Sequence, residues 1–528
     1  MKTLIYPLRP LLQSRLTLLF FTGFVSTLLL ALMLNTISST AAKAQTTENV
    51  SGTVRFVSST GNDAGNDCSL SNNPCKTIQH ALDVALESDE IHVATGTYSG
   101  TMNAFIPDVG EVAATIILTK NLTALLGGYS SDFDSRDLAQ TATTLDASGG
   151  SVNWIIFASG VATLIDGFKM SGVENISAAQ RGAVRVDAGN AIFSHNQIVG
   201  NQSANRGAGF MITGGSPQIV SNSILSNSAA EGGAIYILTG TVTISDNLIA
   251  GNVAQSGDGG GIYIAGGAVL IANNTIAQNQ AISGTTGRGG GIVVRSGEIL
   301  GILGNQIYGN QSADGGSAIE SNVGTRVESN FIHHNQVLFA GAAVLIEQSD
   351  LPIVLINNLV YKNLGSCITL RDFNTAQIIN NTSHQNQYVS FGGPGNGIDV
   401  NASITPTRPF TATIINNLLT NNAQCGIEAY NGIVLASDYN DLFNNKKDYC
   451  NLAQDAKGTH DLNGDPHYMN ASLDNYRPIP GGAAVDQGTA TNAPSVDIYG
   501  ALRPYENGVD IGAIEAGPAY LYLPTIHR

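Results

Sequence analysis

The chain has 528 residues, 43% hydrophobic and only 12% charged, with 60 Gly and a net charge of −16. That length and apolar content can bury a large core, and low charge with abundant Gly, Asn, Ser and Thr suits a solenoid. The acidic balance argues against nucleic acid, anionic membranes or other polyanions as partners.

Residues 1–44 hold Lys2, Arg9 and Arg15, then an apolar run from Leu16 to Leu34, then Ala42-Lys43-Ala44 ahead of Gln45. This order of basic, apolar and small residues predicts a secretory signal peptide, with an uncleaved N-terminal anchor as the alternative. Removing its four basic residues takes the net charge from −16 to −20. Residues 45–52 read as a flexible lead, Thr53–Val57 as a strand, and STGNDAGNDC as a polar loop. Thr77 opens a short helix with Ile78, Ala81, Leu82, Ala85 and Leu86 on one face, which suits a cap over an exposed solenoid end. Up to residue 193 the chain reads as irregular coils, with strands near Ile91–Val93, Thr115–Leu118, Trp154–Phe157 and Thr163–Ile165. A polar loop runs from Ser130 to Thr143.

From Ser194 to Asn445 the sequence repeats itself. Ten times an Asn is followed by apolar residues and a second Asn five positions on, as in SHNQIVGN at Asn196, SDNLIAGN at Asn247 and NNLLTNN at Asn417. Successive first Asn residues lie 23 to 36 positions apart, which is a solenoid period. Between them stands a small-residue turn feeding a short strand: EGGAIYI at Glu231, DGGGIYI at Asp258, RGGGIVV at Arg288, DGGSAIE at Asp314. Ile235, Ile237, Val242 and Ile244 alternate with period two, and no repeat holds a helical stripe. Short parallel strands stacked about 4.8 Å apart would place these aliphatic side chains in inward columns. Asn side chains at one corner would stack as an amide ladder. The reading is an all-β, right-handed parallel β-helix, the hand following from the crossover rule, of 13 to 15 coils.

The GGAI or GGGI turn paired with NxIxxN resembles the repeats of the right-handed β-helix, or pectin-lyase-like, superfamily. It is similar to the GGA-[ILV]/FxxN pattern of chlamydial polymorphic membrane proteins. The opening GNDxxxDC, PCKTIQxAL and GTY resembles that of the same family. From Asn463 to Glu515, the blocks NGDPHYMN, NYRPIPGGAAVDQG, DIYGALRP and NGVDIGAIE resemble the terminal segment of the choice-of-anchor Q domain. His467-Tyr468 and Gly482-Ala483 depart from its pattern. The resulting layout is a signal peptide at 1–44 and one β-helix domain at 45–520. Within that domain lie cap and irregular coils (53–193), regular coils (194–450) and the anchor-Q-type segment (451–517); a tail follows at 518–528.

Five cysteines in an exported chain invite pairing. Cys68 and Cys75 flank a seven-residue step, and Cys425 and Cys450 fall in neighbouring coils, whereas Cys367 reads as a buried core thiol. No CxxC or HExxH points to zinc, and no metal site is expected.

Enzymes of the resembled fold act on polysaccharides along one outer face. The residue after the Ile of each GGxI strand gives one candidate column, including Tyr236, Tyr263, Glu320, Asp399 and Glu428. The column two positions on includes Arg295, Glu347 and Arg371. Glu320, Glu347, Arg371, Asp399 and Glu428 are the catalytic candidates; Tyr236, Tyr263 and Arg295 are the carbohydrate-binding ones. Paired carboxylates could serve glycoside hydrolysis. Alternatively, carboxylates could hold Ca²⁺ against a uronate while Arg371 removes a proton, as in a lyase. The leading reading is an exported cell-surface or secreted protein with a structural, adhesive or carbohydrate-binding role and no catalysis. Its partners would be extracellular polysaccharide or surface proteins, and it would have no cofactor. The alternative is a polysaccharide lyase or glycoside hydrolase, with Ca²⁺ only in the lyase case.

Overall fold

Each coil of a β-helix must bend sharply between strands, and the sequence places a residue able to turn left-handed at each Asn corner. In the computed structural model Asp246 (φ 58°) and Gly251 (φ 65°) immediately precede Asn247 and Asn252, and the same pairing recurs from His195 to Asn444. Asn, Asp, Ser and Gly recur there because they tolerate this conformation best. The structure describes residues 52–149, 152–174, 180–388, 394–401, 410–430, 433–452, 457–505 and 507–517. The expected signal peptide and the tail lie outside the described residues.

One coil illustrates the plan: Ile235–Ile237, Thr241–Ser245 and Leu248–Ala250 form its three sides, and the short strand Val253–Ala254 leads into the next turn. Stacked coils give three long sheets: sheet 1 with fourteen strands from Val54–Val57, sheet 2 with thirteen from Gly96–Tyr98, and sheet 3 with fourteen from Met102–Ile106. Pairing between coils is parallel throughout the repeat region; the antiparallel exception is Met102–Ile106 against Gly110–Leu118 at the start of sheet 3. The fold is an all-β, right-handed parallel β-helix with a single α-helix among the described residues.

Two ladders of Asn run through it. Nδ2 of Asn305 donates to Oδ1 of Asn330 at 2.9 Å and to the Ile271 carbonyl at 3.1 Å. Its Oδ1 accepts from the backbone N and Nδ2 of Asn274 at 2.8 and 3.0 Å. Both amide protons and both lone pairs are thus used, so a wholly buried polar group costs little. The parallel ladder through Asn279, Asn310 and Asn335 repeats the pattern. The first ladder ends at Asp461, whose Oδ1 accepts from Asn440 N at 2.7 Å and Nδ2 at 3.1 Å. A carboxylate fits there because no coil beyond it needs a donor.

Between the ladders the core is aliphatic. Ile198, Ile224, Ile249, Ile276, Ile307 and Ile332 form one column in sheet 2, all fully buried, each contributing about 2 kcal/mol or more by its removal from water. Further along, Ser383 interrupts the column and donates to Asn422 Oδ1 at 3.0 Å.

The N-terminal cap is the helix Ile78–Val84, with Thr77 as N-cap and Ile78, Ala81 and Leu82 buried. Asp63 in the polar loop anchors its start, accepting from Lys76 N, Thr77 N and Thr77 Oγ1. The helix stops at Val84, two residues short of the predicted apolar face: Ala85 has extended backbone yet is buried in the core as expected, whereas Leu86 is 68% exposed. In the polar loop, Arg136 reaches across to the buried carboxylate of Asp166.

At the other end the chain leaves the coils after Lys447–Cys450 and folds back along the outer face of sheet 2. Tyr476, Ile498 and Ile514 pack on Leu359 and Tyr361, and Ile511 packs on Leu418. Three Asn residues directly ahead of ladder Asn residues hold it. Asn357 donates to the Val496 carbonyl, Asn380 to the carbonyls of Asp510 and Gly512, and Asn416 to that of Thr489. In the DIYGALRP and DIGAIE blocks, Arg503 and Glu515 form a buried pair at 3.1 Å. Asp497, Asp510 and Glu515 each accept backbone N–H groups of neighbouring loops. These acidic and basic residues organise the segment.

The structure joins Cys68 to Cys75 and Cys425 to Cys450, the latter with a Cα–Cα distance of 6.0 Å. Cys367 is a free thiol, buried, with its pKa pushed up to about 12 by that burial.

Candidate functional site

The outer face of sheet 3 carries the residues that the sequence singles out. Its register places Arg185, Met211, Tyr236, Tyr263 and Val293 in one column. Glu320, Leu345, Thr369, Asp399 and Glu428 continue it. The neighbouring column pairs Glu347 with Arg371 and Arg371 with Asn401.

The first half of the face is apolar and closed. Trp154, Phe157, Met211 and Tyr236 pack into one cluster with Val112 and Ile117. Tyr236 and Tyr263 stack with ring centroids 4.8 Å apart, and the Arg206 guanidinium sits 4.9 Å over the Tyr236 ring. Tyr236 is 2% exposed and has no free face for a sugar. Half-buried Tyr263 has one ring face taken by Tyr236.

The middle of the face is an ion-pair network. Glu320 is fully buried; Arg288 Nη1 and Arg295 Nη1 lie 3.2 and 2.8 Å from its Oε1, and Gly316 N donates to its Oε2 at 2.8 Å. The turn closing over it requires Gly315 at φ 70°, where an added Cβ would lie 2.0 Å from Glu320 Oε2. Burial raises the Glu320 pKa, against the pull of Arg295 and Arg288. Arg295 also pairs with Asp258 and donates to Asn322 at 2.6 Å. Glu347 holds Arg288 at 3.0 Å and Arg371 at 3.4 Å. Glu320 is therefore out of reach of a substrate, and Arg295 is not a free sugar-binding group.

The sequence reading missed Arg288, Asp258 and Asp314. Their signal was present: the residue ahead of successive Gly-Gly turns runs Glu231, Asp258, Arg288, Asp314, which sets one Arg between acids on the neighbouring coils. In the structure Arg288 accordingly pairs with Asp314 at 3.3 Å, and its backbone N donates to Asp258 Oδ1 at 2.8 Å.

The last part of the face differs. Asp399 is 6% exposed, and Asn401 Nδ2 donates to its Oδ1 at 3.3 Å. Burial first, and the neighbouring Glu428 second, push its pKa up to about 7. Glu428 accepts from the side-chain amides of Asn396 and Asn451. Tyr430, on the same strand side as Glu428, is 44% exposed, and its phenol pKa is raised by burial and by both carboxylates. Two carboxylates on adjacent coils, one poised near neutrality, form an arrangement that can bind a cation or exchange a proton.

Ca²⁺ does not fit the patch as a whole: Glu347, one of its three carboxylates near Arg371, is already held between two guanidinium groups. The other cluster of metal-type side chains among the described residues, Cys68, Cys75 and His80, has both sulfurs in a disulfide. A cavity of about 320 Å³ against the capping helix is lined by Lys76, Gln79, Met102 and Thr115 and holds no carboxylate.

A family profile described as "Right handed beta helix region" matches residues 154–332 and 287–446, together more than half of the chain. The chain belongs to the right-handed β-helix family. Among solved structures it is similar to a pectate lyase, Pel9A, at 12% identity over 90% of this chain and 98% of that one, with a TM-score of 0.29. It is also similar to a rhamnogalacturonan lyase at 12% identity over 79% and 91% of the two chains, with a TM-score of 0.33. No curated protein sequence matches. Likenesses this loose carry no argument about activity, so membership of the β-helix family fixes the architecture and leaves function to the site.

Proposed function

We propose that this β-helix protein is exported to the cell surface or secreted and serves there in a structural, adhesive or carbohydrate-binding role without catalysis. The observation that carries this reading is the closure of the acid and Arg patch. Glu320, Glu347, Arg288 and Arg295 satisfy one another, as a scaffold requires and a catalytic groove does not. Arg371 pairs with Glu347 and so is not the free base that a lyase reaction needs. Two amide ladders, two disulfides and a docked C-terminal segment make a rigid body whose long faces can present a binding surface. The anchor-Q-type resemblance of that segment agrees with a surface role.

A second reading, glycoside hydrolysis, is favoured by one arrangement: Asp399, its pKa pushed up to about 7 by burial and then by Glu428, stands beside that carboxylate on the next coil, as an acid with a partner would. Retention of the protein on columns of immobilised glycans tests the leading reading. Retention on at least one glycan, lost in Asp399→Asn/Glu428→Gln, is the expected result. Free passage through every column would refute carbohydrate binding.

A further inference from the structure

Between the capping helix and the first strands of sheet 3 lies a cleft of about 320 Å³ that takes no part in the charge network of that sheet. Its place follows from unequal strand lengths. Gly110–Leu118 runs on past its hairpin partner: Met102, the first residue of Met102–Ile106, pairs with Ala114, so residues 115–118 have no strand on that edge. Gln79 of the capping helix covers part of the gap as a strand would, its Oε1 accepting from Ile117 N at 2.9 Å and its Nε2 donating to Ile117 O at 3.4 Å. The cleft fills what is left, beside Thr115 and Ile116. Buried Ile78, Tyr98 and Ile116 make its floor, and exposed Lys76, Ser99, Thr101 and Met102 its rim. Two polar groups in its wall lack partners among the described residues. Thr115 is 8% exposed, and its Oγ1 has no hydrogen-bond partner, which costs stability unless something supplies one. The Lys76 ammonium enters no ion pair; Asp63 and Asp83, the acids around this helix, accept from Thr77 and Gln79 instead, and no carboxylate lines the cleft.

We propose that this cleft captures the free C-terminal end of an extended peptide from a partner protein, with an apolar last side chain. The site is separate from the sheet 3 face and does not depend on carbohydrate binding there. An uncovered strand edge is complementary to extended backbone, which can add to it as one more short strand. Lys76 meets the terminal carboxylate, a charge that a chain end carries and an internal peptide segment does not. The Thr115 hydroxyl can donate to that carboxylate or accept a backbone N–H. The last side chain lies on Ile78, Tyr98 and Ile116 and leaves water. A sugar suits the cleft less well. Neighbouring sugar hydroxyls are best met by a carboxylate or amide that offers two atoms at once, and the one side-chain amide here, that of Gln79, is committed to Ile117.

Fluorescence polarisation with the full chain tests this, using labelled pentapeptides randomised at the last two positions and made both with a free C-terminal carboxylate and as the C-terminal amide. Free-acid peptides ending in Leu, Val or Ile are expected to bind at least tenfold more tightly than their amides. Lys76→Gln, at an exposed side chain, should weaken that binding at least tenfold with an unchanged circular dichroism spectrum. Lys169→Gln, which removes an exposed cation on sheet 2, should leave it unchanged. Failure of every free-acid peptide to bind, equal binding of acids and amides, or equal weakening by the two lysine variants would overturn the proposal. A neutral oligosaccharide that binds more tightly than any of the peptides and is lost in Lys76→Gln would give the cleft to carbohydrate and overturn the class of partner.

Discussion

Truncating one rung of an Asn ladder tests the physics that holds the molecule together. In Asn305→Ala the Oδ1 that accepts from Asn274 N at 2.8 Å and Nδ2 at 3.0 Å is lost, as are donations to Ile271 O and Asn330 Oδ1. Asn274 Nδ2 keeps its bonds to Ile244 O and Ala272 O, and Asn330 Oδ1 keeps the Asn305 backbone N–H. The groups left short are the buried Asn274 N–H and one lone pair of Ile271 O. At about 1 to 3 kcal/mol for each buried group left unpaired, the cost is about 2 to 6 kcal/mol. Coils contact only their neighbours, so the loss should appear locally. Amide exchange of Asn274 N–H should accelerate by at least about thirtyfold, since 1.4 kcal/mol is a factor of ten. Exposed Gln306→Ala on the adjacent strand is the reference. Equal exchange of Asn274 in the two variants would refute the ladder argument.

Three further outcomes follow. Cys425→Ser/Cys450→Ser opens a link spanning 25 residues and should destabilise the last coils by about 3 kcal/mol, read by urea unfolding of oxidised and variant protein. Glu320→Gln should cost about 3 kcal/mol, because two guanidinium groups lose their shared buried partner, while Glu428→Gln should cost well under half of that; paired unfolding curves decide it. Asp399 has a folded pKa near 7 against a reference of 3.8, so the folded state holds the extra proton between those values. Its contribution to stability is present at low pH and lost as pH rises from about 4 to about 7, with Asp441 and Glu515, at about 6 and about 7, acting in the same direction. Asp399→Asn should flatten its share of that slope and stabilise the protein at pH 8 by up to about 4 kcal/mol, measured by denaturation across pH.

The fold was legible because a solenoid writes its period into the chain. Asn pairs five apart fixed two corners per coil, and the period-two aliphatic residues fixed the inward columns. Even the lateral register of the outer face could be read, since Tyr236, Tyr263, Glu320, Asp399 and Glu428 align one strand to the next. Burial on that face was not legible. An outward position was equated with access to solvent, yet Glu320 is sealed by the turn at Gly315–Gly316 and by Arg288, which arrives from another coil. Nor was the course of the C-terminal segment legible. Its contacts with Asn380 and Asn416 span 132 and 73 residues, and no local pattern encodes that distance. The doubled Asn-Asn at 357, 380 and 416 was its trace, since only the second Asn of each pair is needed by the ladder.

The most direct test of the central claim is turnover by the full chain on pectate, alginate, galactan, xylan and a glucosamine polymer, with and without Ca²⁺. Unsaturated-product absorbance and reducing ends would be followed together at pH 5 to 8. A binding scaffold predicts no product on any of the five, alongside retention on an immobilised glycan. Product that disappears in Asp399→Asn or Glu347→Gln would contradict that claim and make this face an active site.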